Sequence, residues 1–275
     1  MRVVLPYKPP YDWDAMTKFL AARATPGVER VDDGAYHRTI VVRGFFGSIT
    51  VAPLSGGEAL TVDVAIPDRA LVAGIVERVA SMFDVDADPS PVNTALSRDR
   101  LLKRACKEHP GIRVPGAWDP FELSIRAILG QQISVRAATT IAGRIAKRWG
   151  DPMDDGADGR LFPTPTAMAD APLEECGIIR ARANTIRAVA RAVVDGAVRF
   201  DSPSCGEALR NIRGIGDWTA EYIAMRALNQ KDALPTGDLV LRRKAGGCSA
   251  RELTRRAEKW RPYRSYATLL LWTAD

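Results

Sequence analysis

The hydrophobic periodicity of this chain changes near residue 119, and that change limits the folds that it can adopt. Before this point, apolar and polar residues alternate in short segments. After it, apolar residues recur three and four positions apart in longer segments. Alternation is typical of strands with one buried face, and the longer period is typical of amphipathic helices. The sequence therefore predicts an α+β protein in which a sheet region precedes an all-helical region.

Three alternating segments of the first region are predicted strands, because glycines at 44, 47 and 56 supply turns between them. These strands span residues 38–42, 48–51 and 60–66. Two stretches with apolar positions at helical spacing, residues 13–24 and 67–83, are predicted to cover the sheet. An antiparallel sheet backed by helices fits this order.

The helical region is predicted to begin with Asp119 as an N-cap and Pro120 in the first helical position. The apolar pattern of residues 121–149 is so long that we expect a bend near Gly130. After a polar break at 151–160, further helices are predicted near residues 166–175, 179–195, 207–212, 218–228 and 250–260. The segment 89–115, which contains a short helix, is the predicted link. The expected domains are 1–112 and 113–275, with part of 90–115 packing on the helical bundle.

Charge and composition narrow the class of partner. The 39 Lys and Arg residues exceed the 33 Asp and Glu residues, and the net charge of +6 favours a polyanionic partner. The four cysteines are scattered, and neither histidine has a second ligand at metal-binding spacing, so we expect no catalytic metal. The start of the chain does not resemble a signal peptide, and no apolar run reaches about 18 residues. We expect a cytoplasmic, nucleoid-associated protein that does not enter a membrane.

A helix, a Gly-Ile-Gly turn and a second helix are predicted across residues 209–228. Gly214 and Gly216 lack a Cβ, so a phosphate can approach the main chain and meet the N–H groups that open the second helix. Such contacts position a protein on DNA without reading its sequence. An ordinary connection between two helices has the same pattern, so the turn alone leaves DNA binding open.

The hairpin, followed by Leu234-Pro-Thr-Gly-Asp238, resembles the helix-hairpin-helix DNA glycosylase superfamily, and within it the bacterial 3-methyladenine DNA glycosylase II family. Further similar segments cover nearly the whole chain, at residues 9–13, 19–23, 127–131, 162–165 and 257–267. The resemblance implies an N-terminal sheet domain like half of the TATA-binding protein. It also implies a helical bundle with the active site in a cleft between its helical parts. The implied activity is the excision of alkylated bases from double-stranded DNA in base excision repair.

The resemblance assigns Asp238 as the catalytic carboxylate. The residue is also a candidate N-cap, because Leu239 can begin a helix, and the two roles are compatible. A carboxylate near the anomeric carbon stabilises the positive charge that develops on the sugar as the base leaves. An alkylated purine is already cationic and leaves as a neutral base, so modest catalysis is sufficient.

The resemblance further assigns Trp218, Tyr222 and Trp272 to an aromatic base pocket, in which ring faces attract cationic bases. Burial in the hydrophobic core is the alternative for each ring. Lyase members of the superfamily carry a Schiff-base lysine at the position of Trp218, and Lys231 and Lys244 do not fall on that position. The resemblance therefore implies hydrolysis without strand cleavage.

A side chain is expected to fill the gap left by the flipped base, and the matching position is Gln132, where relatives often carry Leu. Gln131 and Gln132 can equally be polar residues at a helix bend. Thr219 is predicted to donate its hydroxyl to a phosphate. We expect no cofactor and no iron–sulfur cluster, although carbonyls between Ile212 and Ile215 can hold a monovalent cation as in relatives.

A group of arginines at 180, 182, 187 and 191 is interpreted as a solvated helix face, with DNA contact as the alternative. We expect a monomer, which in nature can form part of a fusion with a methyl-accepting DNA repair protein. Two alternative functions remain open at this point. One is a non-catalytic helix-hairpin-helix module that binds DNA or senses damage, and the other is a glycosylase for oxidised or mispaired bases.

Overall fold

The structure, a computed structural model, describes residues 1–153 and 159–274. Its five strands are β1 (Arg2–Pro6), β2 (Glu29–Asp32), β3 (Ala35–Val42), β4 (Phe45–Pro53) and β5 (Ala59–Ala65). They form one antiparallel sheet in the order β1-β5-β4-β3-β2. The three predicted strands fall on β3, β4 and β5. The sequence reading missed β1 and β2, because both are short edge strands whose own patterns are weak without their partners.

Helices α1 (Trp13–Ala21) and α2 (Val72–Phe83) pack against one face of the sheet, as the apolar spacing predicted. Strand residues such as Ile49 and Val62 are buried against this layer together with Phe83 of α2. Because alternate residues of a strand point to opposite faces, one side of the sheet carries this core.

Eleven further α-helices follow within the described residues. They are α3 (Pro89–Leu96), α4 (Lys103–Glu108), α5 (Pro120–Leu129), α6 (Val135–Trp149), α7 (Pro165–Ala169), α8 (Arg180–Val194), α9 (Cys205–Arg210), α10 (Asp217–Arg226), α11 (Leu239–Lys244), α12 (Ala250–Ala257) and α13 (Arg264–Thr273). The predicted switch from a sheet region to a helical region is confirmed. No described helix has the length and apolar character needed to cross a membrane.

Local chemistry explains where several helices begin and end. Asp119 caps α5 through its side chain, which accepts from the Phe121 N–H at 2.8 Å, and Pro120 is the first helical residue, as predicted. The expected bend near Gly130 is a complete interruption between α5 and α6. The helix predicted at 166–175 is shorter, because Pro172 lacks the N–H needed to continue it. Within the predicted polar break at 151–160, residues 154–158 lie outside the described residues.

The helices build two apolar cores. One includes residues of all six helices from α5 to α10, and Ile128, Ile186 and Ile223 are fully buried in it. The other includes residues of α3, α4, α11, α12 and α13, so the predicted link at 89–115 contributes to a helical core. The Tyr222 ring of α10 packs against both cores. The α10 helix therefore lies where the two helical parts meet.

A buried network of charges joins the sheet to the helical bundle. Arg38 of β3 donates to Glu122 of α5 and lies 3.4 Å from Glu29 of β2, while Arg126 of α5 reaches Glu29 at 2.5 Å and Glu122 at 2.9 Å. Burial alone would raise the pKa of the Glu29 carboxyl, but Arg126 and Arg38 hold it below its usual range. The paired charges link β2 and β3 of the sheet directly to α5.

Arg38→Met should lower the free energy of unfolding by about 3 kcal/mol, because it leaves carboxylates buried with fewer counter-charges. Denaturant titration measures the loss. The matched control is Arg2→Met, which removes an exposed arginine that pairs with Asp63 at 2.7 Å across two strands, and it should cost less than about 1 kcal/mol. Equal losses in the two variants would contradict a dominant role for the buried network.

Candidate active site

The predicted hairpin is present: α9 and α10 are joined by a turn that contains Gly214 and Gly216. Gly214 has a φ of 96°, and a Cβ there would lie 2.1 Å from the Thr185 hydroxyl oxygen, so the turn requires glycine on both counts. Gly216 is exposed with open space around it, and it is the N-cap of α10 without a side-chain cap. The first N–H groups of α10 are thus available to an anion.

Asp238 lies at the start of α11 and is its N-cap, as the sequence predicted. Its Oδ1 accepts from the Leu241 N–H at 2.7 Å and from the Trp272 indole at 3.2 Å. Its Oδ2 accepts from the Trp218 indole at 3.0 Å. Gly237 allows this approach, because a Cβ on it would lie 3.2 Å from the Trp218 Cβ. Three donors from α10, α11 and α13 therefore hold one half-buried carboxylate.

The three predicted pocket aromatics lie together beside this carboxylate. Trp218 and Tyr222 stack with ring centroids 5.4 Å apart, and Tyr222 and Trp272 are 6.2 Å apart at an angle of 47°. All three rings are partly exposed. The two indole N–H groups point to Asp238, so the aromatic faces and the carboxylate form one site.

Sequence reasoning gave no role to Phe19, which the structure adds to this cluster. Phe19 lies in α1, and its ring stacks on Trp272 with centroids 6.2 Å apart. The Arg23 guanidinium lies 3.7 Å from the Phe19 ring centroid. The 19–23 segment was part of the resemblance, but only the packing of α1 against α13 shows that its aromatic ring reaches the site.

Arg226 is a second residue that the sequence reading missed. It is 2% exposed, donates to the Tyr222 hydroxyl at 2.9 Å, and also donates to the carbonyl oxygens of Pro115 and Gly116. Burial would raise the pKa of the Tyr222 hydroxyl, but the Arg226 guanidinium, with Arg23 and Arg126, lowers it overall. The signal was the spacing of four residues between Tyr222 and Arg226, which places them on one helix face.

The structure places Thr219 differently from its predicted role. Thr219 is 2% exposed, and its hydroxyl oxygen accepts from the Gln131 side-chain amide at 2.9 Å. This placement argues against the predicted phosphate contact, because the hydroxyl faces the protein. Gln131 is likewise engaged with the hairpin, whereas Gln132 is exposed at the tip of its loop. Gln131 is partly exposed but hydrogen-bonded to the hairpin, whereas Gln132 is the more exposed of the two.

The predicted solvated arginine face is only partly confirmed. Arg187 pairs with Glu174 at 2.8 Å and Arg191 pairs with Asp170 at 2.6 Å, whereas Arg180 is exposed. Arg182 instead donates to the Gln131 carbonyl. The position of Arg182 relative to the loop was not visible in the sequence.

Comparison with known proteins agrees with this architecture. Residues 2–119 match the family model of the AlkA N-terminal domain, and residues 125–260 match that of the HhH-GPD superfamily base excision DNA repair protein. The chain is 34% identical to DNA-3-methyladenine glycosylase 2 of Escherichia coli, over 98% of this chain and 96% of that protein.

Two further comparisons extend the result. A probable bifunctional transcriptional activator/DNA repair enzyme AlkA of Mycobacterium tuberculosis is 35% identical over 98% of this chain, which spans 56% of that protein. The structure of a 3-methyladenine DNA-glycosylase from Archaeoglobus fulgidus superposes with a TM-score of 0.84, over 99% of this chain and 97% of that one, at 24% identity, and so shares the fold. The chain therefore belongs to the HhH-GPD superfamily of base excision DNA repair proteins, within the DNA-3-methyladenine glycosylase 2 family.

Proposed function

We propose that this chain is a monofunctional DNA glycosylase that flips alkylated bases such as 3-methyladenine and 7-methylguanine out of duplex DNA and hydrolyses their N-glycosidic bond. The observation that carries this proposal is the Asp238 carboxylate, held by two indoles at the edge of an aromatic cluster. The E. coli relative, whose name specifies 3-methyladenine, supports the choice of substrate class.

In the proposed reaction, the bond between the sugar and the base breaks, and its electron pair leaves with the base. A cationic alkylated base thereby becomes neutral, while positive charge develops on the sugar. Asp238 stabilises that charge: a unit charge pair at about 4 Å and an effective dielectric of about 20 interacts by about 4 kcal/mol, or roughly a thousandfold in rate. Water then adds to the anomeric carbon, and the proton that it loses passes to solvent.

The aromatic cluster favours electron-poor bases. Faces of Trp218, Tyr222 and Trp272 can stack on a flipped base, and cation–π attraction adds up to about 2 kcal/mol for a desolvated cation. Phe19 instead packs on Trp272, with the Arg23 guanidinium over its own ring. The two indole N–H groups are already directed at Asp238, so they orient the carboxylate and the ring faces together. The pocket thus favours electron-poor rings with a large stacking area instead of one pattern of base-edge hydrogen bonds.

DNA binding is proposed to use the exposed N–H groups at the start of α10, with Gly214 and Gly216 in the turn. Gln132 is proposed to enter the space left by the flipped nucleotide. The carbonyls of residues 212–214 accept hydrogen bonds from the Ile215 N–H, the Thr185 hydroxyl and the Gln131 amide, respectively. Each retains a second lone pair, with which the expected monovalent cation can be coordinated.

We also propose that the protein has no lyase activity, because the described site lacks a lysine that could attack the sugar. A tryptophan at 218 cannot form a Schiff base. Lys231 binds Asp84 at 2.5 Å, and Lys244 donates to the Ala274 carbonyl at 2.7 Å, so both amines have partners other than Asp238. A monomer without a cofactor, a fusion with a methyl-accepting repair protein and a cytoplasmic, nucleoid-associated location stay predictions.

Asp238→Asn should slow release of alkylated bases by at least about a thousandfold and change affinity for damaged duplex by less than about tenfold. Asparagine is also a good N-cap, so α11 should still begin correctly. Single-turnover base release measures the rate. The control Asp217→Asn changes an exposed carboxylate at the start of α10 and should retain the rate of base release.

An active Asp238→Asn enzyme would mean that another group supplies the negative charge. A wild-type protein that binds damaged duplex but releases no base would favour the non-catalytic module.

Trp272→Ala should reduce excision of cationic bases by about thirtyfold, because a stacking face worth about 2 kcal/mol is lost. Binding to undamaged duplex should change far less. Trp272→Phe keeps a ring without the indole N–H, so comparing the two variants separates stacking from the hydrogen bond to Asp238. Equal losses of excision and of binding to undamaged duplex in Trp272→Ala would indicate a core role for this side chain.

Borohydride reduction during turnover on alkylated duplex should trap no covalent complex between protein and DNA, because no lysine stands at position 218. The product strand should remain intact until it is heated in alkali. The monofunctional mechanism would be contradicted if the purified protein also cleaved the DNA strand and if Asp238→Asn removed this cleavage together with base release.

A further inference from the structure

The loop between α5 and α6 presents an exposed side chain on a backbone that few residues adopt. Gln132 has a φ of 57°, in the left-handed region, although it is not glycine. Within the described chain, its side chain makes no hydrogen bond. A residue with this conformation persists only where its surroundings hold it. The support for Gln132 must therefore come through the neighbouring residues of the loop.

Gln131 receives that support from two directions. Its side-chain amide donates to the Gly214 carbonyl and to the Thr219 hydroxyl, each at 2.9 Å, which ties the loop to the hairpin. Its own carbonyl accepts from the Arg182 guanidinium. The residue that precedes Gln132 is thus fixed at its side chain and at the carbonyl that begins the next peptide bond.

The α8 helix, which carries Arg182, also holds the hairpin turn. Thr185 follows Arg182 by three residues, so the two side chains lie on one face of the helix. The Thr185 hydroxyl donates to the Arg213 carbonyl at 3.0 Å, and it occupies the space that a Cβ on Gly214 would need. One helix face therefore contacts both the Gln132 loop and the phosphate-binding turn.

Arg182 differs from two other arginines of α8 in the partner of its guanidinium group. Two arginines of the same helix form ion pairs, whereas Arg182 has no carboxylate within 4 Å among the residues that the structure describes. Its Nε is buried without a partner. Its contact with the loop is a hydrogen bond from an ionised donor, which is shorter and stronger than a neutral one.

We propose that Arg182 is a positioning residue for excision: it holds the Gln131 carbonyl so that Gln132 stands in a fixed orientation relative to the hairpin. The loop that carries Gln132 and the hairpin turn that contains Gly214 and Gly216 then approach the duplex as one rigid unit. This inference rests on the proposed function and assigns to Arg182 no contact with the reacting atoms.

The test compares Arg182→Met with Arg180→Met, which removes a positive charge from an exposed position on the same helix. Single-turnover base release is measured on an alkylated duplex and on the same alkylated strand unpaired. Arg182→Met should slow duplex excision about tenfold, as expected for a misplaced group, and single-strand excision less than about twofold. Arg180→Met should affect both rates by less than about twofold. Equal slowing by the two variants would show that charge alone matters, and equal losses on both substrates would show general damage to the site; either result overturns the proposal.

A double-mutant cycle with Gln132→Ala tests whether Arg182 acts through Gln132. If it does, Gln132→Ala should slow duplex excision about tenfold and the double variant should be no slower than either single variant, whereas independent effects would multiply to about a hundredfold. Arg182→Lys keeps a charged donor and should recover duplex excision to within about threefold of wild type. The proposal is overturned if the two substitutions together slow duplex excision by the product of their separate effects. It is also overturned if Gln132→Ala alone leaves the rate of duplex excision unchanged. Failure of the wild type to release any alkylated base would instead refute the proposed function.

Discussion

The carboxylate of Asp238 accepts hydrogen bonds from three separate helices, and the geometry of the site depends on those bonds. The Leu241 N–H belongs to α11, the Trp218 indole to α10 and the Trp272 indole to α13. The same side chain therefore caps a helix and orients two aromatic rings. Because a carboxylate has two oxygens with about four acceptor sites, it can accept these three donors and still face a developing positive charge.

The sheet domain contributes to this site through packing and through charge. The Phe19 ring of α1 stacks on Trp272, so the aromatic cluster contains a residue from the first part of the chain. The buried pair of Arg38 and Glu122 holds β3 against α5, the helix that leads into the Gln132 loop. Displacement of the sheet would alter both the pocket and the loop. The N-terminal region is therefore part of the active-site architecture.

Local chemistry made much of this fold predictable. Asp119 and Asp238 were recognised as helix caps, and the hairpin glycines as a tight turn, because each role depends on a few neighbouring residues. The aromatic assignments of Trp218 and Trp272 came from resemblance. The structure shows that these rings lie together, and their chemical roles stay predictions.

What the sequence did not reveal depends on contacts between distant residues. Thr219 was expected to donate its hydroxyl to a phosphate, but this hydroxyl accepts from the side chain of Gln131, 88 residues earlier. Phe19 reaches the aromatic cluster only because α1 packs beside α10 and α13, where its ring lies against Trp272 and Arg226. The edge strand β1 pairs with β5, which lies more than 50 residues later in the chain. No local pattern encodes such pairings.

The central claim is that Asp238 faces the positive charge that develops on the sugar. A structure of this protein bound to duplex DNA with a cationic pyrrolidine in place of the target deoxyribose tests it most directly. We predict that the charged nitrogen lies within about 4 Å of an Asp238 oxygen and that both indole hydrogen bonds are retained. A nitrogen beside a different carboxylate, with Asp238 turned away as a helix cap only, would contradict it.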